Sequence, residues 1–185
     1  MKKLLSIILV LCTLCITSCG IYDHQTTDIK RYGKYDSCVG EGETDFFPEL
    51  NEDIMSNVKY SYSVDCFIDC AHEIYLEFTI EDEAEFTDFI NENKNSITTN
   101  NPNVVMQKFK YDEAYTELVI EDVINTRYND EGTLVIDYAY VRKMIYNEES
   151  KSIIFVNLYV IDYWEIENSR YIERFDIDPQ ELPSK

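Results

Sequence analysis

The sequence predicts an α+β domain, in which a mostly antiparallel sheet of about five to six strands packs against one helix, in the order ββαββββ. Several segments after residue 56 alternate apolar and polar side chains, with the period of half-buried strands. Residues 83–94 break this pattern with apolar side chains at helical spacing. A short polar turn separates the two longest strand-like segments, which is typical of an antiparallel hairpin.

The first two predicted strands, residues 58–64 and 74–80, flank a short segment that contains two cysteines. In each strand an apolar or aromatic side chain occupies every second position, and mostly polar residues stand between them. This alternation predicts that one face of each strand packs on a core. The second strand has the clearest alternation in the chain.

The period changes after the second strand. Asp82 and Glu85 have the spacing of a capping box, and apolar residues recur at i, i+3 and i+4 from Phe86. This pattern predicts a helix over 83–94 whose apolar stripe packs on the sheet. Residues 95–103 are predicted as a loop.

Four further strands are predicted after this loop. Residues 147–151 form a polar turn between the last two, so these two are expected to pair as a hairpin. The last strand is apolar on both faces except at Asn157, which indicates a central position in the sheet. A helix that begins at Asp112 is the alternative for the second strand, and residues 171–175 are predicted to add an edge strand. The four strands cover residues 104–111, 115–126, 133–146 and 152–164.

The first 18 residues have the composition of a secretory signal peptide. Lys2 and Lys3 precede an apolar run from Leu4 to Ile16. This run is shorter than the roughly 20 residues that a permanent membrane-spanning helix needs. The sequence therefore predicts export across the membrane followed by removal of residues 1–18.

The stretch Ile16-Thr17-Ser18-Cys19 resembles the lipobox of bacterial lipoproteins, with an aliphatic residue, two small residues and then a cysteine. The resemblance covers residues 1–20. It implies a diacylglyceryl thioether on Cys19 and a further acyl chain, such as palmitate, on its amine. Two or more chains anchor a protein stably, so the expected location is the extracytoplasmic face of the cell membrane. An uncleaved signal anchor or an ordinary signal peptide is the alternative.

The expected organisation after the signal peptide is a lipidated flexible tether over 19–45, a single domain over 46–178 and a tail over 179–185. Four of the five glycines lie in the predicted tether, among polar residues, which is a composition typical of flexible linkers. The domain also resembles small bacterial lipoproteins without an assigned activity. The matching stretches are Phe47-Pro48, Asp69-Cys70 and the segment from Glu73 to Glu77. This second resemblance implies no activity.

The chain is strongly acidic, with 36 acidic and 16 basic residues and a formal net charge of −20. Nucleic acid is excluded as a partner because its phosphates would be repelled. Flat association with anionic lipid is disfavoured for the same reason. A solvated surface is the simplest interpretation, and binding of a cation or a basic partner is the more specific one.

Three of the six cysteines lie outside the signal peptide and the lipobox, namely Cys38, Cys66 and Cys70. Export permits disulfides, but three thiols leave one unpaired. On one extended strand Cys66 and Cys70 would be about 13 Å apart, whereas a disulfide needs Cα atoms within about 7 Å. A turn between these two cysteines, or pairing of one of them with Cys38, would allow a disulfide.

The segment 65–73 is the strongest candidate for a chemical site. Cys66, Cys70 and His72, with nearby carboxylates, are ligand types that Zn²⁺ accepts. No second cluster completes a set of four ligands, and His72 falls in register with the apolar face of the strand that contains Ile74. We therefore expect a disulfide or buried thiols beside a buried histidine. The three residues remain weak metal candidates, and no cofactor is predicted.

Catalytic signatures are missing from the sequence. There is no nucleophile elbow of the Gly-x-Ser-x-Gly type, and His24 lies in the predicted tether, which leaves His72 as the only candidate base. Paired carboxylates suffice for glycoside hydrolysis, but with 36 acidic residues some pair always exists, so this signal is not specific.

The 15 tyrosines are the remaining unusual feature. Half-exposed strands favour tyrosine for structural reasons, but a row of them also presents an aromatic face for a sugar or a peptide. The sequence thus predicts a lipid-anchored, non-enzymatic binding or interaction module with an unknown protein or carbohydrate ligand. An envelope hydrolase with paired carboxylates, or a metal- or thiol-dependent protein, is the alternative. The tyrosines singled out for such a face are Tyr138, Tyr140, Tyr146, Tyr159 and Tyr163.

Overall fold

A computed structural model describes residues 22–35, 37, 39–66, 70–128, 134–160 and 169–177. These residues form one antiparallel sheet of seven strands, with an α-helix on each face. The strands are β1 (Tyr22–Thr26), β2 (Ser56–Cys66), β3 (Cys70–Thr79), β4 (Val105–Lys108), β5 (Thr116–Tyr128), β6 (Leu134–Asn147) and β7 (Ser152–Val160). The helices are α1 (Glu83–Asn100) and α2 (Arg170–Phe175), and a short 3₁₀ turn covers Ile29–Arg31.

The strand order across the sheet is β1-β2-β3-β7-β6-β5-β4. The predicted antiparallel α+β architecture is confirmed, and so is the predicted hairpin, which β6 and β7 form. Strand β7 lies at the centre of the sheet, as its two apolar faces indicate, and every residue in it except Tyr159 is buried. The predicted number of five to six strands is wrong, because β1 adds a seventh.

Strand β1 lies within the predicted tether. It pairs antiparallel with β2, with Tyr22 opposite Cys66 and Thr26 opposite Tyr62. Further along the same segment, Tyr32 and Tyr35 pack against the core. These residues therefore differ from a free flexible tether. An edge strand is held by backbone hydrogen bonds on one side only, so its sequence need not show an apolar period.

Helix α1 begins at the predicted residue. The Asp82 carboxylate accepts hydrogen bonds from the backbone N–H groups of Ala84 (2.9 Å) and Glu85 (3.0 Å), as an N-cap should. The helix continues to Asn100, so residues 95–100 are not the predicted loop. Ile97 explains the extension, because it continues the buried stripe of the helix by two further turns.

The predicted edge strand over 171–175 is wrong, because this segment forms helix α2. Ser169 is its N-cap and accepts a hydrogen bond from the backbone N–H of Ile172. Asp176 ends the helix in the left-handed conformation (φ 49°). A run of five residues with three apolar side chains fits a strand or a helix equally well, so only the cap distinguishes them.

The sheet separates two apolar clusters. The face covered by α1, here called the α1 face, contains Ile74, Leu76 and Phe155, all fully buried. The opposite face, here called the α2 face, contains the buried Tyr75, Val156 and Tyr171. None of the helices in the described part of the chain is both long and apolar enough to cross a membrane.

Candidate functional site

The two candidate cysteines lie opposite each other at the end of the β2–β3 hairpin, where Cys66 and Cys70 are partners in the antiparallel ladder. Residues 67–69 between them, and Cys38, lie outside the described residues. Directly opposed residues have Cα atoms roughly 4.5–5.5 Å apart, which is within the range that a disulfide spans. The register therefore fits the alternative in which a turn allows these two cysteines to pair, and that disulfide stays a prediction.

His72 lies two residues further along β3 and is buried, with a side chain only 1% exposed. Its ring shares the α1 face with Ile74, as the predicted register requires. Burial lowers the pKa of His72, and the Glu43 carboxylate opposes this shift in part. The imidazole is therefore neutral at neutral pH.

The Glu43 carboxylate is the nearest charged group to His72, with Oε2 at 3.0 Å from Nε2. Its proximity favours the tautomer that has the proton on Nε2. In that tautomer Nδ1 is a hydrogen-bond acceptor, and Nδ1 has no hydrogen-bond partner within the described structure. Nδ1 of His72 is thus an enclosed acceptor that the described residues do not satisfy.

Glu43 is held by the central strands although it lies in the glycine-rich stretch 40–47. The Asn157 amide donates to the Glu43 backbone carbonyl at 3.3 Å. Arg142 donates from Nη2 to the Gly42 carbonyl at 3.2 Å and lies over the Phe46 ring, 5.2 Å from its centre. Asn157, a fully buried polar residue of β7, therefore positions this loop over the α1 face.

One row of side chains crosses four neighbouring strands on this face. His72 is opposite Tyr159 of β7, and their ring centres are 5.9 Å apart. Tyr159 is in turn opposite Tyr140 of β6, with ring centres 5.8 Å apart and ring planes at 87°. Tyr140 is opposite Val123 of β5. Cross-strand partners share one face of the sheet, so this row forms a continuous, largely aromatic floor.

The row lines a cavity of about 560 Å³, here called the tyrosine cavity. This volume is within the roughly 300–1,000 Å³ of small-molecule sites. Burial raises the pKa of Tyr140, so its phenol stays protonated at neutral pH. The lining contains two carboxylates and, among the described residues, no lysine or arginine. The lining residues are Glu43, His72, Glu121, Val123, Tyr138, Tyr140 and Tyr159.

Three of the five tyrosines that the sequence singled out thus share one cavity. Tyr146 is buried in the core of the α1 face instead, and Tyr163 lies outside the described residues. Sequence reasoning missed Glu43 and Glu121. Only the isolated Asn157 in β7 gave a signal for this region, because a buried amide needs a polar partner.

A second cavity, of about 590 Å³, lies beside α2 and is here called the Glu77 cavity. The buried Glu77 carboxylate accepts hydrogen bonds from the Tyr75 hydroxyl (2.9 Å), Lys59 Nζ (3.0 Å) and Arg174 Nε (3.2 Å). Burial would raise the pKa of Glu77, but the hydrogen bonds from Lys59 and Tyr75 and the charge of Arg174 hold it below its usual value. The charges in this cavity therefore satisfy one another.

A buried carboxylate also attaches α2 to the sheet. Glu73 Oε1 accepts from the Ser169 hydroxyl (2.5 Å) and the Tyr171 N–H (3.0 Å), and Oε2 accepts from the Arg170 N–H (2.8 Å). Burial raises the pKa of Glu73, and the three hydrogen bonds oppose the shift. A carboxylate at a helix N-terminus satisfies orphan N–H groups, so this is a structural contact.

The weak metal prediction finds no support among the described side chains, in which no three His, Cys, Asp or Glu groups lie together. The side chains of Cys66 and Cys70 are not in that set, so their role as ligands stays a prediction. Cys19 and the tail over 179–185 lie outside the described residues. Comparisons of the chain with protein-family models, curated proteins and solved structures found no significant match.

Proposed function

We propose that this protein is a lipid-anchored module on the extracytoplasmic face of the cell membrane, and that it binds a ligand non-enzymatically in the tyrosine cavity. The lipobox-like stretch that ends at Cys19 supports the anchor. The observation that supports binding most strongly is the continuous floor of His72, Tyr159 and Tyr140 under a cavity of ligand size. Aromatic floors bury a large area of a ligand at a small cost in side-chain entropy.

A hydrolase is the second candidate, because Glu43 and Glu121 line the same cavity. Two carboxylates on either side of a substrate are the minimum for acid–base hydrolysis of a glycoside. Enzymatic turnover of a chromogenic glycoside that disappears in both Glu43→Gln and Glu121→Gln would favour this candidate. Binding of the intact glycoside without turnover would favour the binding module.

Fluorine NMR of the full-length protein in nanodiscs, labelled with 3-fluorotyrosine, tests ligand binding. The Tyr140 and Tyr159 signals are assigned from the variants Tyr140→Phe and Tyr159→Phe, and Tyr146 is the internal control. The probes are N-acetylglucosamine, choline and glutarate, which are neutral, cationic and anionic. We expect saturable shifts of the Tyr140 and Tyr159 signals with at least one probe. Unchanged signals with all three would contradict the proposal.

Intact mass of the protein extracted from its native membrane tests the anchor. We expect a chain that begins at Cys19 and has a multi-acyl mass increment, and release of the Cys19→Ser variant from the membrane. An unmodified Cys19 in the membrane fraction would contradict lipidation. This result is independent of the NMR experiment, so the two parts of the proposal stand or fall separately.

A further inference from the structure

The charges that line the tyrosine cavity have one sign. Glu43 and Glu121 are acidic, and His72 is neutral because burial lowers its pKa. Arg142 lies beside the cavity without lining it, and its guanidinium contacts the Gly42 carbonyl, the Phe46 ring and Tyr140. It is also the cross-strand partner of Glu121 in the β5–β6 ladder. Two carboxylates and one guanidinium leave one negative charge in excess at the cavity.

The aromatic rings of the cavity suit the same kind of ligand. Tyr140 and Tyr159 meet edge to face at 87°, so their ring faces point in different directions and form a corner. Tyr138, which is 37% exposed, lies at the same cavity. The face of an aromatic ring attracts a cation within about 6 Å of the ring centre. Rings at right angles can surround one cationic group from two sides.

The carboxylates of Glu43 and Glu121 accept hydrogen bonds when ionised, and the tyrosine hydroxyls of the lining can donate or accept. A complementary ligand therefore supplies positive charge and donors rather than negative charge. The net charge of −20 adds a long-range attraction for such a ligand.

We propose, on the basis of the function proposed above, that the tyrosine cavity binds an organic ammonium group, between the Tyr140 and Tyr159 rings and beside the Glu43 and Glu121 carboxylates. The second cavity gives the contrast that supports this choice. Its carboxylate Glu77 is already paired with Lys59 and Arg174 of the protein itself. In the tyrosine cavity Arg142 lies opposite Glu121 in the β5–β6 ladder, but none of the described ion pairs joins Glu43 to a lysine or arginine.

Two matched probes separate charge from shape. Choline and 3,3-dimethylbutan-1-ol have nearly the same size and shape, but only choline is charged. Isothermal titration of the full-length protein in nanodiscs should show choline binding at least about tenfold tighter than the neutral alcohol, a difference of about 1.4 kcal/mol. Equal affinities for the two probes would contradict the proposal.

Matched variants test whether the carboxylates of the cavity cause the tighter binding of choline. Glu121→Gln should weaken choline binding about fivefold or more, whereas Glu113→Gln, which removes the same charge at an exposed position, should have little effect. Tyr140→Leu removes the ring face and should weaken choline binding by a similar factor. Thermal unfolding of each variant verifies the fold. Equal losses in Glu121→Gln and Glu113→Gln would overturn the proposed site.

The outcomes distinguish this inference from the binding function on which it rests. If N-acetylglucosamine shifts the Tyr140 and Tyr159 signals and choline does not, the ammonium proposal is wrong and the binding module stands. If no probe perturbs either signal, both proposals are wrong. If choline binds tighter than its neutral isostere and Glu121→Gln weakens it selectively, the ammonium site is established.

Discussion

The Glu77 cavity and the tyrosine cavity have similar volumes but different arrangements of charge. In the Glu77 cavity the carboxylate of Glu77 is paired with cations from β2 and α2 and with a hydroxyl from its own strand, β3. In the tyrosine cavity Glu121 lies opposite Arg142 in the β5–β6 ladder, whereas none of the described ion pairs joins Glu43 to a lysine or arginine. The comparison indicates that the ion pairs of Glu77 stabilise the fold, whereas the carboxylates of the tyrosine cavity are available to a ligand. Substitutions in the Glu77 cavity, on the α2 face, should therefore change the free energy of unfolding. Substitutions in the tyrosine cavity, on the α1 face, should change ligand binding.

The largest loss of stability is expected at Glu73, which fixes α2 to the sheet. Glu73→Ala leaves the Ser169 hydroxyl and two backbone N–H groups buried without an acceptor. We expect a loss of about 3 kcal/mol in the free energy of unfolding, measured by urea denaturation. Glu173→Ala, at an exposed position of the same helix, is the control and should lose less than about 0.5 kcal/mol. A similar loss in both variants would show that Glu73 is not the anchor of α2.

The cysteine pair should give the next largest effect. Cys66 ends β2, and Cys70 begins β3, the strand that contains His72. Alkylation before and after reduction should show Cys66 and Cys70 protected until reduction, and Cys38 free. The disulfide closes a loop of five residues, which corresponds to about 2 kcal/mol of stabilisation in the chain-entropy model. Three free thiols in the oxidised protein would exclude the pairing and reopen the metal hypothesis for these residues.

The stability that Glu77 contributes should depend on pH, and this distinguishes the Glu77 cavity from the tyrosine cavity. Because the folded pKa of Glu77 is below its usual value, Glu77 contributes stability above its unfolded pKa and loses it as the pH falls through its folded pKa. Glu77→Gln should be less stable by about 1–2 kcal/mol at neutral pH and should lose less stability on acidification. Unfolding curves at pH 7 and pH 3 measure both effects. Parallel losses in the variant and the unmodified protein would contradict this account of Glu77.

The smallest effect on stability is expected in the tyrosine cavity. Glu121→Gln and Tyr140→Phe should each change the free energy of unfolding by less than about 1 kcal/mol, because neither residue is fully buried. Melting temperatures by circular dichroism provide the measurement. A loss as large as that of Glu73→Ala would show that these residues hold the fold together, and the contrast between the two cavities would fail.

The sequence predicted most of the sheet because its strands alternate strongly or are long and apolar. The start of α1 at Asp82 and the central place of β7 follow from such local signals. Strand β1 was not predicted, because an edge strand needs few apolar side chains. Helix α2 was mistaken for a strand because its stabilising partner, Glu73, lies 97 residues earlier in the chain than Arg170.

The candidate site was predictable only in part. The tyrosines were identified from their number and position in strands, but their convergence depends on the register between β3, β7 and β6. Glu43 gave no signal, because its place over His72 is fixed by Asn157 and by tertiary contacts of the neighbouring loop residues. Long-range pairing of this kind is not encoded in a local period.

The most direct test of the ammonium site is a set of intermolecular nuclear Overhauser effects between bound choline and the protein. The account predicts contacts from the trimethylammonium protons to the ring protons of Tyr140 and Tyr159, and none to Tyr75 in the Glu77 cavity. Binding of choline with contacts to Tyr75, or to neither Tyr140 nor Tyr159, would contradict the account.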